Sequence, residues 1–263
     1  MDFRIKGKVA FVAGGSQGMG AAAATMLAAE GCRVAIVARD QGRIDAAVAA
    51  IRAQHGEVVG ISADLSTAAG VANAVDAVRE AFGPPEIVVA QTNDMTHGNF
   101  FDVTEEDFAR VFQVLTVSFS ALARAVLPDM KKAGWGRIVH IGSLAAKEPP
   151  RQLQHIVHST VRASTAALIK SLADEVARFG VTINTVAPGY ILTDTMRAYF
   201  ETKYGVLDGT VSEWVESTRD IPAERHGTTE EIASVIAFLC SQQAGYVNGE
   251  WIAVDGALHQ SAM

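Results

Sequence analysis

Short apolar runs rich in Val and Ile alternate along this chain with longer alanine-rich stretches of helical period. The runs Lys8–Ala13, Arg33–Ala38, Val58–Ser62, Ile87–Gln91, Arg137–Ile141, Val181–Val186 and Trp251–Val254 are short and almost continuously apolar, which predicts buried strands. Between them, residues 18–31, 41–55, 67–82, 105–133, 154–179 and 229–241 read as helices. Thr104 with Asp107, and Thr228 with Glu231, have capping-box spacing and mark the starts of two of these helices. Strand–helix alternation with fully apolar strands predicts a parallel sheet covered on both faces. Right-handed crossovers wind such a sheet into a three-layer α/β/α, Rossmann-like doubly wound fold, here of about seven strands. No linker, repeat or charge block interrupts the pattern, so residues 1–263 read as a single domain.

One stretch breaks the alternation. Thr195–Asp220 follows the sixth strand and carries Tyr199, Phe200, Tyr204 and Trp214. Two readings are open: a substrate lid over the carboxyl ends of the strands, or a helical insertion with a small core of its own.

Composition narrows the function classes. The chain has 263 residues, 49% of them hydrophobic and 19% charged, enough apolar surface for a large core and too much for a disordered chain. Its net charge of −7 comes without a basic cluster, which argues against a nucleic-acid partner. No run of eighteen apolar residues occurs, so no membrane span is expected, and the opening residues lack a cleavable signal pattern. Two cysteines far apart, Cys32 and Cys240, suit a reducing compartment, and a cytoplasmic location is expected. No group of His, Cys and acids has metal-ligand spacing, so no metal is expected.

The first strand runs into Ala13-Gly14-Gly15-Ser16-Gln17-Gly18-Met19-Gly20, and a helix opens at once. Glycines in this place let the backbone turn tightly and approach a pyrophosphate, whose charge then sits at a helix amino terminus. A glycine trio alone says little; its position after a strand, before a helix and in the first βαβ unit gives it weight. The second strand, which should end beside the adenosine ribose, ends Val37-Ala38-Arg39-Asp40. An acid there binds both ribose hydroxyls, whereas an arginine accommodates a 2′-phosphate. With Ala38 where the acid is usual and Arg39 next, NADP(H) is favoured; NAD(H) remains possible, with Asp40 as the residue that would reverse the preference.

Further motifs identify a resemblance. Gly14, Gly18 and Gly20 match the Gly-x-x-x-Gly-x-Gly turn of the short-chain dehydrogenase/reductase family. Asp64-Leu65 is similar to its adenine-holding pair, and Gly136-Arg137-Ile138-Val139 with Gly142-Ser143 to its fifth strand and catalytic serine. Asn184–Thr193, with Pro188-Gly189-Tyr190-Ile191, resembles its segment near the nicotinamide, and Glu230-Glu231-Ile232, Asn248-Gly249 and Asp255-Gly256 fit its later landmarks. The resemblance covers nearly the whole chain. It implies cofactor contacts from Gly14, Ser16, Gln17, Gly18, Met19, Gly20, Arg39, Asp64, Leu65, Gln91, Arg162, Gly189, Ile191 and Thr193. It also implies a catalytic Ser, Tyr, Lys and Asn, and pairing of the long helices into a homodimer or homotetramer.

The chain departs from the family at three of those four catalytic positions. No tyrosine precedes Tyr190. Counting back from Lys170-Ser171-Leu172-Ala173 puts His158 at the tyrosine's place and Arg162 at the lysine's, and counting back from Arg124–Pro128 puts Leu115 at the asparagine's. The loop after strand four, usually Asn-Asn-Ala-Gly, is Ala90-Gln91-Thr92-Asn93. Only Ser143 remains.

Four residues apart, His158 and Arg162 share one helix face. An imidazole is able to hand a proton to a ketone, while Arg162 keeps the lysine's charge for the ribose and should lower the imidazole's proton affinity. Simpler readings stay open: His158 as a structural hydrogen bonder, Ser143 as a local cap, and His97 and His155 as ordinary loop histidines instead of residues bordering the substrate pocket. Ser143 lacks the glycine pattern of a hydrolase elbow. The expected function is an NADP(H)-dependent oxidoreductase acting on a small carbonyl or secondary alcohol through Ser143, His158 and Arg162. The alternatives are a dehydratase, isomerase or cyclase on the same scaffold, and a catalytically inactive nucleotide-binding protein.

Overall fold

The computed structural model describes residues 2–94, 96–149, 155–194, 196 and 221–261. Seven strands form: β1 (Val9–Ala13), β2 (Arg33–Ala38), β3 (Glu57–Ser62), β4 (Ile87–Ala90), β5 (Gly136–Ile141), β6 (Val181–Pro188) and β7 (Trp251–Val254). All six pairings are parallel, in the order β3-β2-β1-β4-β5-β6-β7. Strand direction alternates side chains between faces. Thus Val9, Phe11 and Ala13 of β1 enter one core, while Ala10 and Val12 enter the other. The edge strand β3 departs from the continuously buried expectation. Its Glu57, Gly60 and Ser62 are exposed, because it has a neighbour on one side only.

The helices that cover the sheet are α1 (Gly18–Ala29), α2 (Gln41–Ala53), α3 (Ala68–Phe82), α4 (Glu105–Phe112), α5 (Ser118–Ala133), α6 (Ile156–Val176) and α7 (Thr229–Cys240). Apolar residues of α1, α2 and α7 fill one core; those of α3, α5 and α6 fill the other. The expected helix over 105–133 is interrupted by a π-helical turn, Gln113–Val117. There the Ser118 hydroxyl donates to the Val114 carbonyl, a side-chain bond that competes with the regular ladder. By length and composition the 105–133 stretch is apolar enough to cross a membrane, but half of its apolar window is buried inside the protein, as in a core helix. The expected helix at 154–179 is α6 plus a short turn, Ala177–Phe179; residue 154 lies outside the described residues. So does the 195–220 stretch apart from Met196.

This order reverses direction between β1 and β4, and parallel strands bring every carboxyl end to one edge. A crevice at that switch point is where open α/β sheets take their ligands.

Both expected capping boxes form. Thr228 Oγ1 accepts from the Glu231 amide at 3.2 Å, and a Glu231 carboxylate oxygen accepts from the Thr228 amide at 2.9 Å. Because α7 packs across α1, behind the glycine turn, its start is anchored to the site. Thr228→Ala should therefore lower the free energy of unfolding in urea by about 1 kcal/mol without changing the slope. An unchanged midpoint would contradict this reading.

Candidate active site

The glycine turn is built by close approach. Gly14 and Gly18 have φ of +65° and +55°, in the left-handed region, and a β-carbon on Gly20 would lie 2.3 Å from the Gly14 carbonyl oxygen. Gly14 also faces Gln91 at the end of β4, with backbone and side-chain oxygens 3.4 Å from where a β-carbon would stand. Gly18 faces the Thr193 side chain at 3.6 Å in the same sense. Three segments that the sequence assigns to one cofactor thus meet over the crevice. The start of α1 has Gln17 as its cap residue, whose side chain makes no capping hydrogen bond, and there is no acid in its first turn. Its free amides and the partial positive charge of the helix end suit a diphosphate, so the residues present fit a dinucleotide. Ser16 and Met19 are half-buried in this turn.

At the end of β2, Asp40 is committed elsewhere. Its carboxylate accepts from the Arg43 amide at 2.9 Å and caps α2. The Arg43 guanidinium reaches Gln17 Oε1 at 2.5 Å, and Arg39 remains beside Asp64. Hydrogen bonds from the Ser66 amide and hydroxyl, with the Arg39 charge as a lesser influence, hold the Asp64 carboxyl below the usual range. Leu65 and Gln91 line a small open pocket with Ala13, Phe119 and His140. Burial, aided by the charge of Arg162, pushes the His140 imidazole down to about 3.

Past β6, a β-carbon on Gly189 would lie 2.7 Å from Asp255, so the chain there runs against the segment after β7. A bridge to Gly227 engages the Tyr190 carbonyl and the Leu192 amide, which turns the Ile191 amide and carbonyl toward the opposite side. Thr193 Oγ1 accepts from the Met196 amide at 3.1 Å.

Ser143 ends the segment after β5, and its Oγ accepts from the Ala145 amide at 3.2 Å, so it does cap the short turn Leu144–Ala146 that packs on α6. Its hydroxyl hydrogen is not used by that bond. His158, on the first turns of α6, is 5% exposed, and its Nε2 makes no hydrogen bond to any described residue. Arg162, one turn later, donates to Asn93 Oδ1 at 3.4 Å. Burial brings the guanidinium down to about 10, still fully charged at neutral pH. The asparagine's counterpart, Leu115, sits in the π-helical turn and joins Val111, Val157 and Val161 in a small apolar cluster.

The loop after β4 reaches α6 through a bridge between Gly98 and His155, which stacks the His97 ring on His155 at 4.7 Å. Both histidines therefore border His158, at 6.4 Å and 5.6 Å between ring centres. The sequence reading passed over Asp94 in this loop, whose carboxylate lies 3.9 Å from His158 Nε2. An acid just past a strand's carboxyl end at the switch point was the available signal. Burial first, then the charge of Arg162 and the His155 ring, push His158 down to about 4; Asp94 works against them, and His97 adds a small downward push. Among the described residues, no group of three or more His, Cys, Asp and Glu can hold a metal ion.

Comparisons with known proteins find relatives along nearly the whole chain. The family described as Enoyl-(Acyl carrier protein) reductase matches residues 13–259. The short-chain reductase protein NovJ of Streptomyces niveus is 33% identical over 94% of this chain and 92% of its own. The 3-oxoacyl-[acyl-carrier-protein] reductase FabG of Pseudomonas aeruginosa is 31% identical over 98% of this chain and 99% of its own. Among solved structures, L-sorbose reductase from Gluconobacter frateurii, complexed with NADPH and L-sorbose, superposes with a TM-score of 0.93 at 29% identity, covering 99% of this chain and all of that one. By that family match over residues 13–259 and by relatives above 30% identity along almost their whole length, the chain belongs to the short-chain dehydrogenase/reductase family.

Proposed function

We propose that the protein is an NADP(H)-dependent oxidoreductase that interconverts a small carbonyl compound and its secondary alcohol at an atypical Ser143–His158–Arg162 site. The observation that carries the reading is the arrangement of His158 and Arg162 one turn apart on α6, against the loop after β4, where Arg162 reaches Asn93 and Asp94 lies 3.9 Å from His158 Nε2. NADPH is a bound component of the L-sorbose reductase structure, which supports the same cofactor here.

When bound, the nicotinamide would supply or accept the hydride. The α1 amides and the turn at Gly14–Gly20 would hold the diphosphate, Asp64 and Leu65 would flank the adenine, and Arg39 would meet a 2′-phosphate. Asp40 does not oppose that choice, because its carboxylate is engaged at the start of α2. Arg162 offers a fixed positive charge and several donors to the ribose. Ser143 donates its free hydroxyl hydrogen to the substrate oxygen, and the protonated His158 delivers the proton that completes the alcohol. In the oxidative direction the neutral imidazole takes that proton back.

The cost of this arrangement is a scarce acid. With His158 pushed down to about 4, the protonated fraction at neutral pH is on the order of one part in a thousand, and it falls tenfold for each further pH unit. Reduction with NADPH should therefore speed up as pH drops. Between pH 7 and pH 5, kcat/KM should rise by about tenfold per pH unit, and His158→Ala should flatten that slope. A profile that is level in the wild type, or equally steep in the variant, would reject the histidine as proton source. Product formation without nicotinamide oxidation would instead mark a non-redox enzyme.

Cofactor choice has its own test. Arg39→Ala removes a charge-assisted contact to phosphate, so calorimetry should show NADPH binding weakened by about tenfold or more, with NADH binding little changed. Equal weakening of both coenzymes would rule out recognition of the 2′-phosphate by Arg39.

A further inference from the structure

Most groups around His158 oppose its charged form. Arg162 follows it by one turn on α6, His155 precedes it on the same face, and His97 approaches from the loop after β4. The single negative group facing it among the described residues is Asp94, from that same loop. This carboxylate is held firmly. One oxygen accepts from the Thr96 amide at 2.8 Å and from the Thr96 hydroxyl; the other accepts from Arg110 of α4. Arg110 also donates to Thr96 Oγ1 at 2.9 Å and to Asp107, the acid of the α4 capping box. Burial would push the Asp94 carboxyl up, but the bonds from Thr96 and Arg110 outweigh it and keep the group ionised. Its side chain is 12% exposed, so its field is poorly screened by solvent.

The outer oxygen of that carboxylate, Oδ1, stands 3.9 Å from the buried Nε2 of His158, which has no hydrogen-bond partner among the described residues. That separation is an ion-pair distance, too long for a hydrogen bond in the resting state. It is close enough for the carboxylate to favour the imidazolium over the neutral ring. Resting on the oxidoreductase reading above, we propose that Asp94 is a positioning residue for His158: it orients Nε2 and sustains the imidazolium against Arg162, while Arg110 sets how much of its charge His158 feels. In the reductive step the O–H bond of the alcohol forms as the imidazolium N–H bond breaks, and solvent then returns a proton to the ring. Asp94 keeps its own charge throughout and exchanges no proton.

The two residues predict opposite effects, which a loss of local structure would not produce. The experiment is a nuclear magnetic resonance titration of the imidazole in histidine-labelled protein without cofactor, comparing wild type, Asp94→Asn and Arg110→Gln, with circular dichroism to verify folding. Asp94→Asn should move the His158 midpoint down by about one pH unit, at the low end for a charge at this distance, and Arg110→Gln should move it up. A midpoint unchanged in Asp94→Asn, or displaced in the same direction by both variants, overturns the proposal. The pH profiles of NADPH-dependent reduction form the second arm. Profiles displaced in step with the titrations support both readings. Titrations that shift as stated beside profiles that stay fixed leave Asp94 as the residue that tunes His158, and it is then the role of His158 as proton source that fails.

Discussion

The Gly14 carbonyl oxygen occupies the space that a β-carbon on Gly20 would need. That contact folds the end of β1 directly back into α1, and it holds the amino end of the helix open at the switch point of the sheet. Other parts of the site are then fixed relative to it. Gln91 at the end of β4 backs Gly14, Thr193 beyond β6 backs Gly18, and α7 braces α1 from behind. A side chain at Gly20 would separate the helix end from the strand edge and remove the cradle, whatever the residues farther along the crevice did.

Above that cradle the electrostatics are unusual. A cation that cannot give up its proton stands one turn from an imidazole that the proposed mechanism asks to acquire one, and burial of the ring acts in the same direction as the cation. The surrounding structure answers with an ion pair whose carboxylate, Asp94, is largely buried and whose guanidinium, Arg110, is about half exposed. Asp94 is supplied by the loop after β4, and its partner Arg110 by the last turn of α4, whose capping box extends the chain of contacts to Asp107 and Thr104. A carboxylate already paired with a guanidinium is less costly to bury, and it exerts a smaller pull on the histidine than a free one would.

Much of the scaffold is legible in the sequence because its signals are local. The seven apolar runs, the glycine turn and the two capping boxes each depend on neighbours within a few residues, and each forms close to where it was expected. The π-helical turn at Gln113–Val117 is different. It keeps the apolar stripe nearly continuous, so periodicity shows one long helix, and only the Ser118 side-chain bond reveals the break. The commitment of Asp40 to α2 and the capping use of Ser143 also needed coordinates, since either acceptor could have faced a ligand. Asp94 and Arg110 were missed for a further reason: sixteen residues apart in sequence, they make a pair only once the loop after β4 folds against α4. The stretch 195–220, read as a lid or an insertion, lies outside the described residues apart from Met196.

Diffraction from crystals grown with NADP+ would test the arrangement most directly. The account requires the diphosphate at the amino end of α1, the 2′-phosphate against Arg39, and the nicotinamide on the part of the crevice that carries Ser143, His158 and Arg162. A dinucleotide bound elsewhere on the protein, or one whose nicotinamide end points away from α6, would contradict it.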